Sequence, residues 1–230
     1  QYQPVLIICK DHIHEEAIRH DLVQSQHATR HKSLHPMQFT YAPYNDTWCR
    51  DYGPLCVQHN QFVELLDFRF NGWGNKYDAG DDDRLCHTLS QQGIFQQPTR
   101  MVDFALEGGS IDSNGEGLLL TTEACLLSGT RNKGLNKSDI EEQISTHLHC
   151  TKILWLTKGQ LIGDDTDSHI DNLARFVNAD SIIYASCTNP SDIHFEPLTA
   201  MKEELHQLNT DHNLNLTLIP IPIPQATLDN

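Results

Sequence analysis

The chain has 230 residues, enough to bury a full hydrophobic core, and it contains no low-complexity tract and no long uncharged apolar run. A transmembrane helix is therefore not indicated. The formal net charge of −15 argues against nucleic acid or an anionic membrane as a partner, because few cations are present to neutralise phosphates.

Short strands and helices are predicted to alternate along the chain. The predicted helices cover residues 11–19, 81–92, 137–147 and 197–208. The predicted strands are Val5–Cys9, Met37–Ala42, Leu55–Gln58, Phe62–Phe68, Ser110–Asp112, Gly117–Thr122, Lys152–Leu156, Leu173–Val177, Ser181–Ser186 and Leu214–Ile219. The polar stretches Asn45–Pro54 and Asn71–Asn75 are predicted to be loops.

Three copies of one unit are visible in this order of elements. An acidic residue precedes a short strand, an Asn-containing turn, a second strand, a helix and a third strand. The acids are Asp51, Glu107 and Asp171, and the turn asparagines are Asn60, Asn114 and Asn178. A repeat of about 60 residues predicts a radial or stacked architecture, in which the three strand entrances converge. The alternative is that three hairpins align by chance.

The segment Gly163–Asn172 holds four aspartates and one histidine immediately before a predicted strand. His169 and Asp171 are two residues apart, so on an extended chain their side chains would point the same way. An imidazole and a carboxylate that face one pocket are typical of general acid–base catalysis. The alternative is a solvated acidic loop.

The seven cysteines are scattered, and several lie inside apolar runs. No Cys-x-x-Cys pair occurs, which argues against a zinc knuckle and a disulfide framework. Free buried thiols in a reducing compartment are the better interpretation, and they predict a cytoplasmic protein.

Three motifs, in the stretches Asn45–Pro54, Leu106–Ser110 and Gly163–Asn172, closely resemble those of the agmatine deiminase family, which includes bacterial-type peptidylarginine deiminases. The resemblance covers essentially all of residues 1–230. It implies a single α/β domain, a five-bladed α/β propeller (pentein) of repeated ββαβ units with the active site on its axis. The propeller is expected to be incomplete in this chain, lacking its last blade or blades and a short N-terminal piece.

The activity implied by the resemblance is hydrolysis of a guanidino group to a ureido group with release of ammonia. Agmatine, converted to N-carbamoylputrescine in putrescine and polyamine metabolism, is the expected substrate, so the partner is a small cationic guanidino compound. No metal or organic cofactor is expected. A homo-oligomer is left open, because the family is often oligomeric.

By position in the motifs, Asp51 and Asp171 would bind the guanidinium and His169 would be the general acid–base. Glu107 would orient His169 or the substrate, and Trp48 would form an aromatic wall over the cation.

Each role has a structural alternative. Asp51 would pair only with Arg50, Trp48 would belong to the core, and Glu107 would cap the turn at Gly108-Gly109.

The family's nucleophilic cysteine, in a Gly-rich segment near the C-terminus, has no counterpart here. Cys150 follows His149 but lacks the glycines, and Cys49 occupies a neighbouring place in its motif. The nucleophile is therefore expected outside these 230 residues, and the chain by itself is expected to be inactive.

Three alternative functions remain open. The first is a peptidylarginine or free-arginine deiminase, and the second is a non-catalytic guanidinium-binding protein of the same fold. The third is a metal hydrolase with Asp164, Asp165, Asp167 and His169 as ligands. In the deiminase interpretation those three aspartates shape the loop.

Overall fold

The computed structural model describes residues 4–28 and 37–224. The segment Gln1-Tyr2-Gln3, where the sequence predicts a missing N-terminal piece, lies outside the described residues. The elements in chain order are β1 (Val5–Cys9), α1 (His12–Ala28), β2 (Met37–Tyr41), α2 (Cys49–Tyr52), β3 (Leu55–His59), β4 (Phe62–Arg69), α3 (Gly72–Asn75), α4 (Asp82–Gln91), β5 (Thr99–Ala105), β6 (Ile111–Ser113), β7 (Leu118–Thr122), α5 (Glu123–Leu126), α6 (Lys137–Leu148), β8 (Lys152–Leu156), β9 (Ala174–Asn178), β10 (Ser181–Ser186), α7 (Phe195–Asp211) and β11 (Thr217–Pro222).

The fold is mixed α/β and contains several small sheets. Three sheets of three strands share one topology, with orders β3-β4-β5, β6-β7-β8 and β9-β10-β11. In each, the first two strands form an antiparallel hairpin, and the third strand pairs parallel with the second after a helical crossover. The ββαβ repeat predicted from the sequence is therefore confirmed. Strands β1 and β2, joined by α1, form a separate parallel pair.

Asparagines shape the hairpin turns, as the repeat predicts. Asn60 adopts a left-handed conformation at φ 55°, which Asn tolerates better than most residues. The Asn114 side chain accepts hydrogen bonds from the backbone N–H groups of Glu116 and Leu118 at 2.8 and 3.0 Å. Asn178 accepts one from Asp180 N–H at 3.1 Å. The side-chain oxygens of Asn114 and Asn178 thus replace backbone acceptors where the chain reverses.

The core lies between neighbouring units, and β7 contributes to two parts of it. All five residues of β7 are buried. Leu119 packs with Leu66 of β4 and Ile144 of α6, whereas Leu120 packs with Ile182 of β10. Because successive side chains of a strand point to opposite faces, one strand joins the second unit to both of its neighbours.

Strands β5 and β11 differ from the sequence prediction. The sequence predicts no strand at β5, where Arg100 and Asp103 interrupt the apolar residues. The Arg100 guanidinium donates two hydrogen bonds of 3.0 Å to Glu64 of β4. The last strand begins at Thr217 rather than Leu214 and contains Pro220 and Pro222. It lies at the edge of its sheet, where a missing N–H is tolerated.

The two stretches predicted to be loops each contain one helical turn, α2 and α3. Inside α3, Trp73 and Gly74 have left-handed φ values of 55° and 80°. The extended conformation expected around His169 is also wrong, because Ile170–Asn172 form a 3-10 turn. No helix in the described ranges is long and apolar enough to cross a membrane.

Candidate active site

The three acid-bearing segments meet at the glycine pair Gly108-Gly109. A Cβ on Gly108 would lie 2.1 Å from the backbone oxygen of Arg50, so only glycine allows this turn to approach α2. A Cβ on Gly109 would lie 2.6 Å from Asp51 Oδ1, 2.7 Å from His169 Nδ1 and 2.8 Å from Asp171 Oδ2. The predicted convergence of the strand entrances is thus present, with Gly109 at the meeting point.

Asp51 is fixed by two hydrogen bonds. Its Oδ1 accepts from the Gly109 N–H at 2.9 Å, and its Oδ2 accepts from the indole N–H of Trp73 at 3.0 Å. The unusual backbone of α3 places that indole, which is buried. The alternative in which Asp51 pairs only with Arg50 is therefore wrong.

His169 lies between two carboxylates. Its Nδ1 is 3.5 Å from Asp51 Oδ1, and its Nε2 is 3.9 Å from Glu107 Oε2. The side chain is 2% exposed, and Nε2 has no hydrogen-bond partner within the described residues. Nδ1 thus faces Asp51, whereas Nε2 is buried on the side of Glu107.

Glu107 is buried and paired with a cation that the sequence analysis did not single out. Arg131 Nε donates to both of its carboxylate oxygens at 3.0 Å, and neither side chain is more than 2% exposed. Burial alone would raise the pKa of Glu107, but the neighbouring His169 ring and the Arg131 charge outweigh burial and hold that pKa below its usual value. Because Glu107 makes no cap hydrogen bond, its capping alternative is wrong.

Arg131 also fastens the loop that carries His169. Its Nη1 donates to Asp167 Oδ2 at 2.5 Å, and its Nη2 donates to the backbone oxygen of Thr166 at 2.9 Å. Burial opposes its charge, yet the surrounding acids raise the pKa of Arg131 above its usual value. The signal that could have found it is the need of a buried acid cluster for a counter-cation.

The remaining aspartates of the loop build its shape, as predicted. Asp164 accepts from the N–H groups of Thr166 and Ser168 at 2.9 and 2.6 Å. Asp165 accepts from Tyr77 Oη at 2.7 Å, and Asp167 also pairs with Lys76 Nζ at 2.7 Å. The ligand set of the metal-hydrolase alternative is not assembled, because the described residues close enough to share an ion are Glu107, Cys125 and His169.

A cavity of about 650 Å³ opens above these groups. Asp51, His169 and Asp171 line it together with Trp48 and Ile162, whose side chains are 63% and 66% exposed. The core alternative for Trp48 is therefore wrong. Burial, reinforced by the charge of Asp51, raises the pKa of Asp171 although His169 opposes the shift.

Known proteins share this architecture. The family model described as Porphyromonas-type peptidyl-arginine deiminase matches residues 1–230. The chain belongs to that family. This deiminase-family chain is 34% identical over 187 residues to agmatine deiminase of Stutzerimonas stutzeri, covering 78% of the chain and 50% of that relative.

A solved structure of agmatine deiminase from C. jejuni, a cysteine-to-serine variant with substrate bound, is 36% identical to the chain. The TM-score is 0.86, and the match covers 99% of the chain and 62% of the C. jejuni protein. A second solved structure of C. jejuni agmatine deiminase is 35% identical to the chain, with a TM-score of 0.82; the match covers 99% of the chain and 62% of the C. jejuni protein. The chain spans about half the length of the curated relatives it matches.

We predict that Arg131→Met destabilises the deiminase-family chain by about 3–5 kcal/mol, because it leaves the Glu107 carboxylate buried and unpaired. The free energy of unfolding in urea measures the change. The matched control is Arg84→Met, whose partner Asp81 lies on the surface, and it should cost less than about 1 kcal/mol. Equal effects of the two substitutions would contradict the structural role of Arg131.

Proposed function

We propose that the whole protein hydrolyses a guanidino group to a ureido group with release of ammonia, and that agmatine is converted to N-carbamoylputrescine. The observation that carries the proposal is the convergence of Asp51, Asp171 and His169 on Gly109 at the base of one cavity. Agmatine deiminases with extensive similarity support the choice of reaction.

Binding of the substrate is assigned to the two aspartates. A guanidinium is planar and carries a fork of N–H donors, which carboxylates accept in pairs. Asp51 is already held by Gly109 and Trp73, so it needs no reorganisation when the cation arrives. Trp48 is proposed to cover the cation with its aromatic face.

Proton transfer is assigned to His169. His169 lines the cavity, and its Nδ1 lies at the meeting point with Asp51 and Asp171, so the ring can exchange a proton there with the departing ammonia and then with the attacking water. Asp51 near Nδ1 and Glu107 near Nε2 hold the ring in place between two carboxylates. Arg131 keeps Glu107 ionised for this role.

The nucleophile is a thiolate that attacks the guanidino carbon. Cys125 lies beside Glu107, but burial and the charge of Glu107 raise the pKa of its thiol well above the usual value. A protonated thiol is a poor nucleophile. We therefore place the attacking thiolate outside these 230 residues, consistent with the cysteine-to-serine substitution in the substrate-bound relative.

The acidic lining of the cavity favours agmatine over arginine. Asp46, Asp164 and Asp165 line it together with the apolar side chain of Ile162. These acids attract the free amine at the far end of agmatine, whereas they repel the α-carboxylate of arginine. Arg50 also lines the cavity, and its positive charge is the feature that favours the peptidylarginine or free-arginine alternative.

For the fold and its setting, we propose one domain that forms a five-bladed α/β propeller in the whole protein. Three ββαβ units and one parallel strand pair support this proposal. Seven free cysteines support a reducing compartment, which we take to be the cytoplasm. The net charge of −15 suits a cationic small molecule better than nucleic acid or a membrane.

The chain is predicted to bind agmatine more tightly than arginine when both are titrated by calorimetry under the same conditions. Asp51→Asn should weaken agmatine binding by at least about 30-fold, because loss of one partner of a buried charge pair costs about 2 kcal/mol or more. Asp103→Asn, at an exposed position outside the cavity, is the control. Agmatine affinity that is unchanged in Asp51→Asn, or tighter binding of arginine than of agmatine, would contradict this substrate assignment.

Agmatine affinity is predicted to fall as the pH decreases, and to begin falling at a higher pH than an ordinary aspartate would cause. The reason is that protonation of Asp171, whose pKa is raised, removes one of the two charges that bind the guanidinium. Calorimetry between about pH 5 and 8 measures the change. Asp171→Asn should bind more weakly throughout and lose this part of the pH dependence; an unchanged profile would refute the role of Asp171.

Gly109→Ala is predicted to weaken agmatine binding by at least about tenfold, because the added methyl displaces Asp51, His169 and Asp171 together. The control is Gly129→Ala, since a Cβ there meets nothing within 4 Å. Both variants are compared by calorimetry after circular dichroism confirms their fold. Equal affinities would show that the close approach at Gly109 does not position the site.

A further inference from the structure

Behind the guanidinium site, three side chains of metal-binding chemistry face one another. Glu107, Cys125 and His169 each offer one ligand atom, and these atoms all lie within 4.8 Å of one another. All three residues are buried, and they come from three separate segments of the chain. The reaction proposed above uses neither the thiol of Cys125 nor any metal.

We propose that Glu107, Cys125 and His169 form a Zn²⁺ site, and that Zn²⁺ bound there inhibits the protein by removing His169 from proton transfer.

The geometry suits zinc. Zinc–ligand bonds of about 2.0–2.3 Å place the ligand atoms of a tetrahedral site about 3.3–3.6 Å apart. Cys125 Sγ lies 3.8 Å from Glu107 Oε2, and His169 Nε2 lies 3.9 Å from the same oxygen. Shifts well under one ångström would bring these two pairs into range. His169 Nε2 is buried and unpartnered among the described residues, so no hydrogen bond has to break at that atom.

The ligand types select the metal. A thiolate and an imidazole with one carboxylate match Zn²⁺, whereas Mg²⁺ and Ca²⁺ prefer oxygen atoms alone. Zn²⁺ has no redox chemistry here: the Zn–S bond forms as the thiol proton of Cys125 leaves to the solvent. Because zinc binds the thiolate and not the thiol, zinc binding should release this proton.

The surrounding charges admit a dication. Two cations oppose binding of Zn²⁺: Arg131, which donates to both oxygens of Glu107, and Lys76, which pairs with Asp167. Four carboxylates outnumber these two cations, namely Asp51, Glu107, Asp167 and Asp171. The cluster keeps an excess of negative charge, so a Zn²⁺ ion that displaces one proton brings the site closer to neutrality.

Inhibition follows from the shared histidine. With Nε2 bound to zinc, Nδ1 carries the one proton of the neutral imidazole, so His169 can no longer accept a second proton. The added positive charge also faces the two aspartates that are proposed to bind the guanidinium. Zinc and a cationic guanidino compound should therefore weaken each other's binding by the same factor.

Zinc binding to the reduced chain, measured by competition with a chromophoric chelator, tests the site. We expect one tight Zn²⁺ per chain, released protons in calorimetry, and affinity at least about tenfold lower in both Cys125→Ser and His169→Gln. Cys187→Ser is the matched thiol control. His149→Asn is a second control, because the exposed rings of His59 and His149 lie 4.7 Å apart and form a competing surface pair.

Cobalt supplies a readout that does not depend on activity. The Co²⁺-loaded chain should show a thiolate-to-cobalt charge-transfer band that Cys125→Ser removes and Cys187→Ser retains. Zinc affinity equal to wild type in Cys125→Ser, or a cobalt spectrum without that band, would overturn the proposal. No guanidino compound enters these measurements, so failure of the deiminase assignment would leave them interpretable.

Discussion

The close approach of three backbone segments at Gly109 is the constraint on which the site depends. Only a hydrogen atom fits on its Cα, because Asp51, His169 and Asp171 all lie within 3 Å of the place where a Cβ would be. The approach brings together residues from three different repeats of the fold. Each repeat supplies a short entrance turn, and the sheets behind the turns hold them in place.

Charge balance determines which of the acids can act. The Glu107 carboxylate is neutralised by Arg131, which also fastens the loop through Asp167. Asp51 and Asp171 face the cavity and form no salt bridge with an arginine of the described residues, so they provide the negative potential that a cation requires. A buried ion pair is costly to form, and its value here is that it fixes the position of His169 between Asp51 and Glu107.

The sequence predicted the repeat, the turn asparagines and the convergence of Asp51, Glu107 and Asp171, because hairpin signals and acid spacing are local. It missed Arg131 and Cys125, which become neighbours of Glu107 only in three dimensions. It also missed the left-handed turn at Trp73, since no local sequence pattern predicts a tryptophan at positive φ. His169 and Asp171 meet through a 3-10 turn, so that prediction succeeded although the expected extended backbone was wrong.

The central claim is that these converging acids and His169 serve hydrolysis of a guanidino group. Carbon NMR of the whole protein incubated with agmatine labelled at its guanidino carbon tests it most directly. We predict that the guanidino signal is replaced by a ureido signal with one ammonia released per agmatine, and that His169→Gln abolishes the conversion. A guanidino signal that persists unchanged, despite binding, would contradict catalysis and favour a guanidinium-binding protein of the same fold.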